Sequence, residues 1–212
     1  WDESAQDELY ILKANINGTQ VLALNYSGVM PGLSASMNGY GLVQCVNELQ
    51  HSSEKIGVPK IILARAVLDC SYLEEAVELI ETTPRATGFN HLLLQGESLV
   101  DIETSADKSF HYRRTRQPFA HTNHYAFQAM SEEEDDSSIS NSVARWKRAR
   151  TLLHTDMTIN DMMSLLRDRE NARHPICRLN ATIGSAIFQP ELQSAYFCYG
   201  PPCRGEYTKY ML

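Results

Sequence analysis

Two pairs of helical segments, each bracketed by strand-like segments, constrain the fold of this chain more than any other feature. The first pair follows Pro59, which a first helical turn accepts, and ends at Pro84, which a helix interior excludes. Its second helix opens at Ser71 with the Ser-x-x-Glu pattern of a capping box and then repeats apolar residues at helical spacing. The second pair has apolar stripes that begin at Ile139 and at Ile159.

Short apolar segments between turn signals predict β-strands on both sides of each helical pair. Asn38-Gly39 indicates a hairpin turn, because both positions tolerate positive φ. The predicted strand segments are 21–24, 42–46, 91–102, 109–127, 181–188 and 195–199. Alternating groups of strands and helices predict an α+β fold with helices layered on sheets.

Composition excludes several classes of partner. The chain has 212 residues and a net charge of -7, which argues against binding to a nucleic-acid backbone. No segment approaches the roughly 20 consecutive apolar residues of a membrane span. The five cysteines are odd in number and lack CxxC spacing, so reduced thiols in a cytoplasmic protein are expected rather than a zinc site or a disulfide framework.

An acidic segment covers residues 131–138, with three glutamates and two aspartates. Such a segment is typical of an exposed loop, which is the structure we expect. The alternative is an acidic interaction protein that uses residues 131–136, and one short charged segment favours it only weakly.

Polar residues interrupt an otherwise apolar strand region at His121-Thr122-Asn123-His124. Buried polar side chains must find hydrogen bonds or cost a few kcal/mol. Asn123 is either a structural residue at a strand end or an amide donor to a developing oxyanion. The two histidines suggest a metal, but no third ligand is evident nearby in the sequence, so no metal site is expected.

Three other positions are candidates for function. Arg178 follows Cys177 directly and is either an ordinary surface cation or a fixed charge beside a thiolate or a carboxylate. Asn47 closes an apolar strand, where a purely structural asparagine is also common. Trp1-Asp2 means little by itself.

Together these segments resemble the acyl-coenzyme A:isopenicillin-N acyltransferase family. The six resembling segments occur in the family's order, although Ser36 or Met37 stands where a glycine is usual. They are Trp1-Asp2, the glycine- and asparagine-rich stretch 37–47, Gly57-Val58-Pro59 with the helices after it, His121 to His124, Ile176-Cys177-Arg178, and Gly200 to Cys203 followed by Gly205-Glu206-Tyr207.

The resemblance implies an N-terminal-nucleophile fold, a four-layer αββα sandwich, formed by residues 1–212 as one domain. Members of the family are made as precursors that cleave themselves before a cysteine, and this new N-terminal cysteine is the nucleophile. The resemblance places that cysteine upstream of Trp1, so none of the five cysteines in the chain is expected to be the nucleophile, and the N-terminal fragment of the same precursor is an expected partner.

The resemblance also implies roles for site residues. Asp2 would orient the α-amine of the upstream cysteine, Arg178 would favour its thiolate, and Asn123 would donate to the oxyanion. Asn47 matches a further polar contact in related bile-salt and penicillin-V hydrolases. The implied reaction makes or breaks a linear amide in a small acylated amine or peptide, with no metal or organic cofactor. An inactive relative that only binds such a ligand is the alternative, and a homo-oligomer is possible in either case.

Overall fold

A seven-stranded antiparallel sheet forms the centre of the protein in the computed structural model, which describes residues 7–50, 53–134 and 139–212. The strand order in this large sheet follows the chain order, so each strand pairs with the next one. The strands are β1 (Leu9–Ile16), β2 (Thr19–Tyr26), β3 (Ser36–Asn38), β4 (Val43–Asn47), β5 (Asn90–Gln95), β6 (Ser98–Thr104) and β7 (Ser109–Thr115).

The helical pair between β4 and β5 covers one face of the large sheet. Helix α1 (Lys60–Val67) and helix α2 (Leu73–Thr82) bury their apolar stripes there. Leu63 and Val67 of α1 and Ala76 and Ile80 of α2 join one buried cluster with sheet residues such as Leu93. The predicted helical spacing of this segment is therefore confirmed, and its apolar face lies on the sheet.

A three-stranded sheet packs against the opposite face of the large sheet. It has the order β10-β9-β8, with β8 (Gly184–Gln189), β9 (Ser194–Tyr199) and β10 (Tyr207–Met211). Ala195 and Phe197 pack in one cluster with Leu22 and Leu24 of β2. A Cβ at Gly184 would come within 2.8 Å of a methyl group of Leu9, so glycine lets the two sheets approach closely.

The second helical pair comprises α3 (Ser140–Leu152) and α4 (Ile159–Leu166). Helix α4 contacts β8 of the small sheet. Arg148 of α3 forms a two-pronged ion pair with Asp168, just after α4, at 3.1 and 2.6 Å. The order of helices, large sheet, small sheet and helices is the predicted four-layer αββα arrangement. In the parts of the chain that are described, no helix is long and apolar enough to cross a bilayer.

The capping box predicted at Ser71 is wrong. Helix α2 begins at Leu73, so Ser71 lies one residue too early to cap it, and Tyr72 at the cap position makes no side-chain bond. Instead the Ser71 N–H donates to Glu75 and the Leu73 N–H donates to Gln95, each at 2.8 Å. A true capping box forms at the start of α4, between Thr158 and Asp161.

The predicted strand segment 109–127 is wrong in its second half. Strand β7 ends at Thr115, Arg116 has a φ of 52°, and Pro118 has no N–H to give to a ladder. Residues 117–127 form a loop instead.

Two other segments differ from the prediction. Segment 91–102 divides into β5 and β6 at a turn that includes Gly96. The turn between β8 and β9 is a 3-10 helix, Pro190–Leu192, and β9 is followed by an unpredicted strand, β10.

The acidic segment 131–138 is only partly described, because residues 135–138 lie outside the described ranges. Ser131 and Glu132 are exposed, as expected for a surface loop. Glu133 contradicts the expectation, since only 8% of it is exposed and it forms an ion pair with Lys108 at 3.1 Å.

Candidate active site

Three of the four predicted site residues line one cleft of about 320 Å³. Asn47 reaches it from the end of β4, Asn123 from the loop after β7, and Arg178 from the segment before β8. The fourth, Asp2, lies outside the described residues. The wall is completed by Tyr26, Leu33, Val46, Glu48, Phe89, Arg145, Ile176, Ala181, Thr182 and Gly184.

The side chain of Asn123 is held in one orientation. Its Oδ1 accepts a hydrogen bond from Arg145 Nη2 at 3.0 Å, and its Nδ2 donates to the carbonyl of Glu48 at 3.1 Å. The backbone N–H of Asn123 donates to Ser142 Oγ at 2.6 Å. An amide nitrogen carries two hydrogens, so one N–H remains after the bond to Glu48, on a group that already borders the cleft.

Arg145 is a site residue that sequence reasoning missed. It lies on α3, where an arginine is usually an exposed cation, and its Nε donates to Asn141 Oδ1 at 2.8 Å. Burial, together with the neighbouring charge of Arg178, lowers its pKa to about 10. The apolar stripe of α3, which includes Val143 and Trp146, indicated in the sequence that one face of the helix turns inward, but Arg145 is not part of that stripe.

Arg178 gives the cleft a second positive charge. Its backbone N–H donates to Thr182 Oγ1 at 3.0 Å, and its carbonyl accepts from the N–H groups of Ala181 and Thr182, which fixes a tight turn before β8. Within residues 7–50, 53–134 and 139–212, no carboxylate pairs with its guanidinium. Two arginines at one cleft favour an anion there, although the chain as a whole is acidic.

Asn47 is tied to the sheet beneath the cleft. Its Nδ2 donates to Asn90 Oδ1 at 2.7 Å, and Asn90 in turn donates to Asp101. The strand register places Asn47 opposite Asn90, and Asn90 opposite Glu103. A row of polar residues therefore crosses three neighbouring strands on the face that looks toward the small sheet.

Glu103 anchors the loop that carries Asn123. Its carboxylate accepts from the N–H groups of Ala126 and Phe127 and from His121 Nε2, the last at 2.8 Å. The side chains of Glu103 and His121 are both fully buried. Sequence reasoning missed this anchor, although Asp101 and Glu103 alternate with apolar residues and so place two acids on one face of a buried strand.

The buried charges of this cluster have shifted pKa values. Burial disfavours the imidazolium of His121, but the hydrogen bond to Glu103 and the charges of Asp101 and Glu103 outweigh it and raise its pKa. Burial raises the pKa of Asp101 to about 6. His124 differs, because burial lowers its pKa to about 4, and its Nδ1 lies 2.8 Å from Ser142 Oγ.

Asp101, Glu103 and His121 also form the one group of described residues whose spacing fits a metal ion, with ligand atoms within 4.8 Å of one another. The premise that His121 has no further ligands nearby was therefore wrong, because the two carboxylates come from a distant strand. The oxygens of Glu103 are occupied by N–H donors, and only Asp101 Oδ2 in this group lacks a hydrogen bond. The arrangement fits an anchor for the loop better than a cation site.

None of the five cysteines lines the cleft, and burial suppresses ionisation of four of them. Burial raises the pKa of Cys45, Cys70 and Cys177 to about 11, and it raises the pKa of Cys198 as well. A thiol must ionise to attack, so these four thiols are mostly protonated near neutral pH.

Comparison with known proteins identifies the family of the chain. The family described as acyl-coenzyme A:6-aminopenicillanic acid acyl-transferase matches residues 1–204. A search of curated protein sequences gives no match.

Two solved structures share the fold. The N-acylethanolamine-hydrolyzing acid amidase ortholog of Caenorhabditis elegans has a TM-score of 0.52 at 10% identity, over 99% of this chain and 89% of that one. A mutant conjugated bile acid hydrolase from Clostridium perfringens has a TM-score of 0.53 at 11% identity, over 97% and 84%. At such identities the likeness establishes the N-terminal-nucleophile hydrolase fold and not a substrate.

Proposed function

Because this chain belongs to the acyl-coenzyme A:6-aminopenicillanic acid acyl-transferase family, whose members act on amide bonds, we propose that it forms the main body of a cysteine N-terminal-nucleophile amide hydrolase or acyltransferase. One observation carries the proposal. Asn47, Asn123 and Arg178, chosen from distant parts of the sequence, border one cleft whose charge suits a thiolate and an oxyanion.

The nucleophile of the proposed enzyme is a cysteine upstream of Trp1, exposed by cleavage of a precursor. A free α-amino group has a pKa of about 8 and can therefore remove the proton from its own thiol near neutral pH. The same amine then protonates the leaving amine. Asp2 would orient this α-amine, and Arg178 would favour the thiolate.

The reaction proceeds through an acyl-thioester. The thiolate attacks the amide carbonyl, and the free N–H of Asn123 stabilises the negative charge that develops on its oxygen. Arg145 keeps the Asn123 amide in the orientation that this donation needs, since it binds the amide oxygen. Attack on the thioester by water completes a hydrolysis, and attack by an amine completes an acyl transfer.

The substrate class follows from this chemistry and from the size of the cleft. A linear amide of a small acylated amine or a short peptide suits a volume of about 320 Å³. The polar rim and the two arginines favour a substrate with a carboxylate or another anionic group beside the reacting amide.

The N-terminus of the natural protein tests the proposal most simply. Edman sequencing and intact mass should show a mature chain that begins with cysteine, upstream of Trp1. Replacement of that cysteine by alanine should leave an uncleaved precursor that is inactive toward a panel of acylated amines.

A natural protein with no upstream cysteine would reject the proposed mechanism. It would support the alternative of an inactive relative that binds an acyl amide or peptide in the same cleft, and isothermal titration with the same panel would then detect binding without turnover.

A further inference from the structure

Two cysteines near the end of the chain lie in direct contact. The Sγ atoms of Cys177 and Cys203 are 2.7 Å apart, and the backbone N–H of Cys203 points to Cys177 Sγ at 3.4 Å. A disulfide bond is about 2.05 Å long, so a small movement of the side chains would join the two sulfurs. All five cysteines lie in the described ranges, and no other pair of their sulfurs is in such contact.

We propose that Cys177 and Cys203 are a reversible dithiol–disulfide pair that staples the segment carrying Arg178 to the C-terminal loop. This inference does not depend on the identity of the nucleophile or on the reaction proposed above. It revises the expectation from composition that all five thiols remain reduced.

The backbone holds both cysteines in place without any help from the sulfurs. The N–H of Cys177 donates to the carbonyl of Asp168 at 3.0 Å. The loop around Cys203 is held by Arg167, whose Nε donates to the carbonyl of Pro202 at 2.9 Å and whose Nη2 donates to the carbonyl of Gly205 at 3.3 Å. A bond between the sulfurs therefore requires little backbone movement, which is the main condition for an unstrained disulfide.

The two thiols differ in access, and this difference sets the order of reaction. Cys203 is half-exposed, whereas Cys177 is buried, and burial raises its pKa to about 11. With oxidised glutathione as the oxidant, the Cys203 thiolate attacks one glutathione sulfur, forms a mixed disulfide and releases one glutathione thiol. Cys177 then loses its proton, attacks the sulfur of Cys203 and releases the second glutathione. The two protein thiols lose two electrons and two protons, and the glutathione disulfide gains them.

The staple acts on the site because Arg178 follows Cys177 directly and lines the cleft. The closed loop contains β8 and β9, so cross-linking restricts the unfolded chain over most of the small sheet. For a loop of this length we expect oxidation to raise the melting temperature by about 5–10 °C.

Peptide mapping of the natural full-length protein tests the pairing. The protein is equilibrated with oxidised and reduced glutathione, alkylated, and digested without reduction by trypsin and chymotrypsin. Cleavage after Tyr199 separates Cys203 from Cys198. The expected product joins the Cys177 peptide to the Cys203 peptide at a mass two hydrogens below their sum, and it disappears on reduction. Alkylated Cys177 and Cys203 at every glutathione ratio, or a bond between Cys203 and Cys198, would overturn the proposal.

Thermal melts of matched variants test the stapling role. The wild type and a Cys45→Ala control should each melt about 5–10 °C higher when oxidised than when reduced. Cys203→Ser should show no such difference. Should that variant fail to fold, the wild-type pair of melts decides, because equal melting temperatures of cross-linked and reduced protein contradict a staple.

Discussion

At the scale of single residues, the amide of Asn123 shows how a side chain at the cleft depends on its neighbours in the cleft wall. Arg145 and Glu48 occupy the oxygen and one hydrogen of that amide, so only one orientation of the group satisfies both partners. The remaining hydrogen is the proposed oxyanion donor. Activity should therefore respond to the residue that fixes the amide as well as to the amide itself.

Arg145→Ala should lower kcat by about tenfold or more, because loss of a hydrogen bond from a charged donor frees the Asn123 amide to rotate. Steady-state kinetics with an acylated amine measures this. Lys147→Ala, on the exposed side of the same helix, is the matched control and should keep wild-type kcat. A wild-type kcat in Arg145→Ala would show that Asn123 needs no such support.

Buried histidines should titrate in opposite directions. The carboxylates of Asp101 and Glu103 raise the pKa of His121, whereas burial lowers the pKa of His91 to about 3. Charged His121 thus contributes stability that is complete below about pH 6.5 and is lost as the pH rises through its raised pKa. His91 has the opposite effect, because it is neutral in the folded protein and gains its proton in the unfolded chain as the pH drops. Its contribution to stability therefore falls between about pH 6.5 and pH 3.

Nitrogen-15 NMR of the histidine side chains checks these directions. His121 should keep both ring protons to a higher pH than an ordinary histidine does, whereas His91 should stay neutral down to about pH 3. A His121 that loses its proton at a lower pH than an ordinary histidine would contradict its role as the charged partner of Glu103.

Single residues explain part of what the sequence could predict about the site. Asn47, Asn123 and Arg178 were proposed because they match family segments, and all three line one cleft. Arg145 and Glu103 were not found, because an arginine on a helix and a glutamate on a strand are ordinary until tertiary packing buries them. Burial of a charge depends on the partner segment, which local sequence does not reveal.

At the scale of elements, β6 connects the large sheet to the loop that carries Asn123. Its apolar residues Val100 and Ile102 face the helices, and its acids Asp101 and Glu103 face the loop. One strand thus supplies both a hydrophobic face and the anchor for residues 121–127. The alternation of side chains along a strand makes this division possible.

Glu103→Ala should destabilise the protein by about 3–5 kcal/mol, because it leaves His121 charged and unpaired and orphans two N–H groups in the interior. Urea unfolding measures the loss, and hydrogen exchange should show faster opening of residues 121–127. Glu97→Ala removes an exposed ion pair with Arg116 and should cost no more than about 1 kcal/mol. Equal effects of the two substitutions would refute the anchoring role of Glu103.

The sequence predicted element boundaries well where the apolar periodicity was strong. It predicted them poorly where polar groups form hydrogen bonds with one another. The α2 stripe was predicted correctly, and a hairpin does form at Asn38-Gly39. Its positive φ lies at Gly41 (75°), however, and not at Asn38 or Gly39 as the turn signal implied. Segment 117–127 was predicted to be a strand because aromatic residues are common in strands. Its backbone N–H groups instead donate hydrogen bonds to the side chains of Glu103 and Ser142. Ser142 is the one buried residue of α3, a position that an apolar stripe does not predict.

At the scale of the whole molecule, the cleft lies where β8, the first strand of the small sheet, begins beside the large sheet. Gly184 borders the cleft and also permits the close approach of the sheets, so sheet packing and site shape share one residue. The chain as a whole has a net charge of -7, whereas two arginines line the cleft. Small anionic substrates should therefore be captured locally at the cleft rather than steered by the overall charge.

The central claim is that a cysteine from upstream of Trp1 is acylated beside Asn123. Rapid acid quench of the natural protein with an activated acyl anilide, followed by peptide mapping, measures this acylation directly. We predict that the acyl group appears on the new N-terminal cysteine, about 10²–10³-fold more slowly in Asn123→Ala and at the wild-type rate in an Asn180→Ala control. An acyl group on Cys45, Cys70, Cys177, Cys198 or Cys203, or wild-type acylation in Asn123→Ala, would contradict the account.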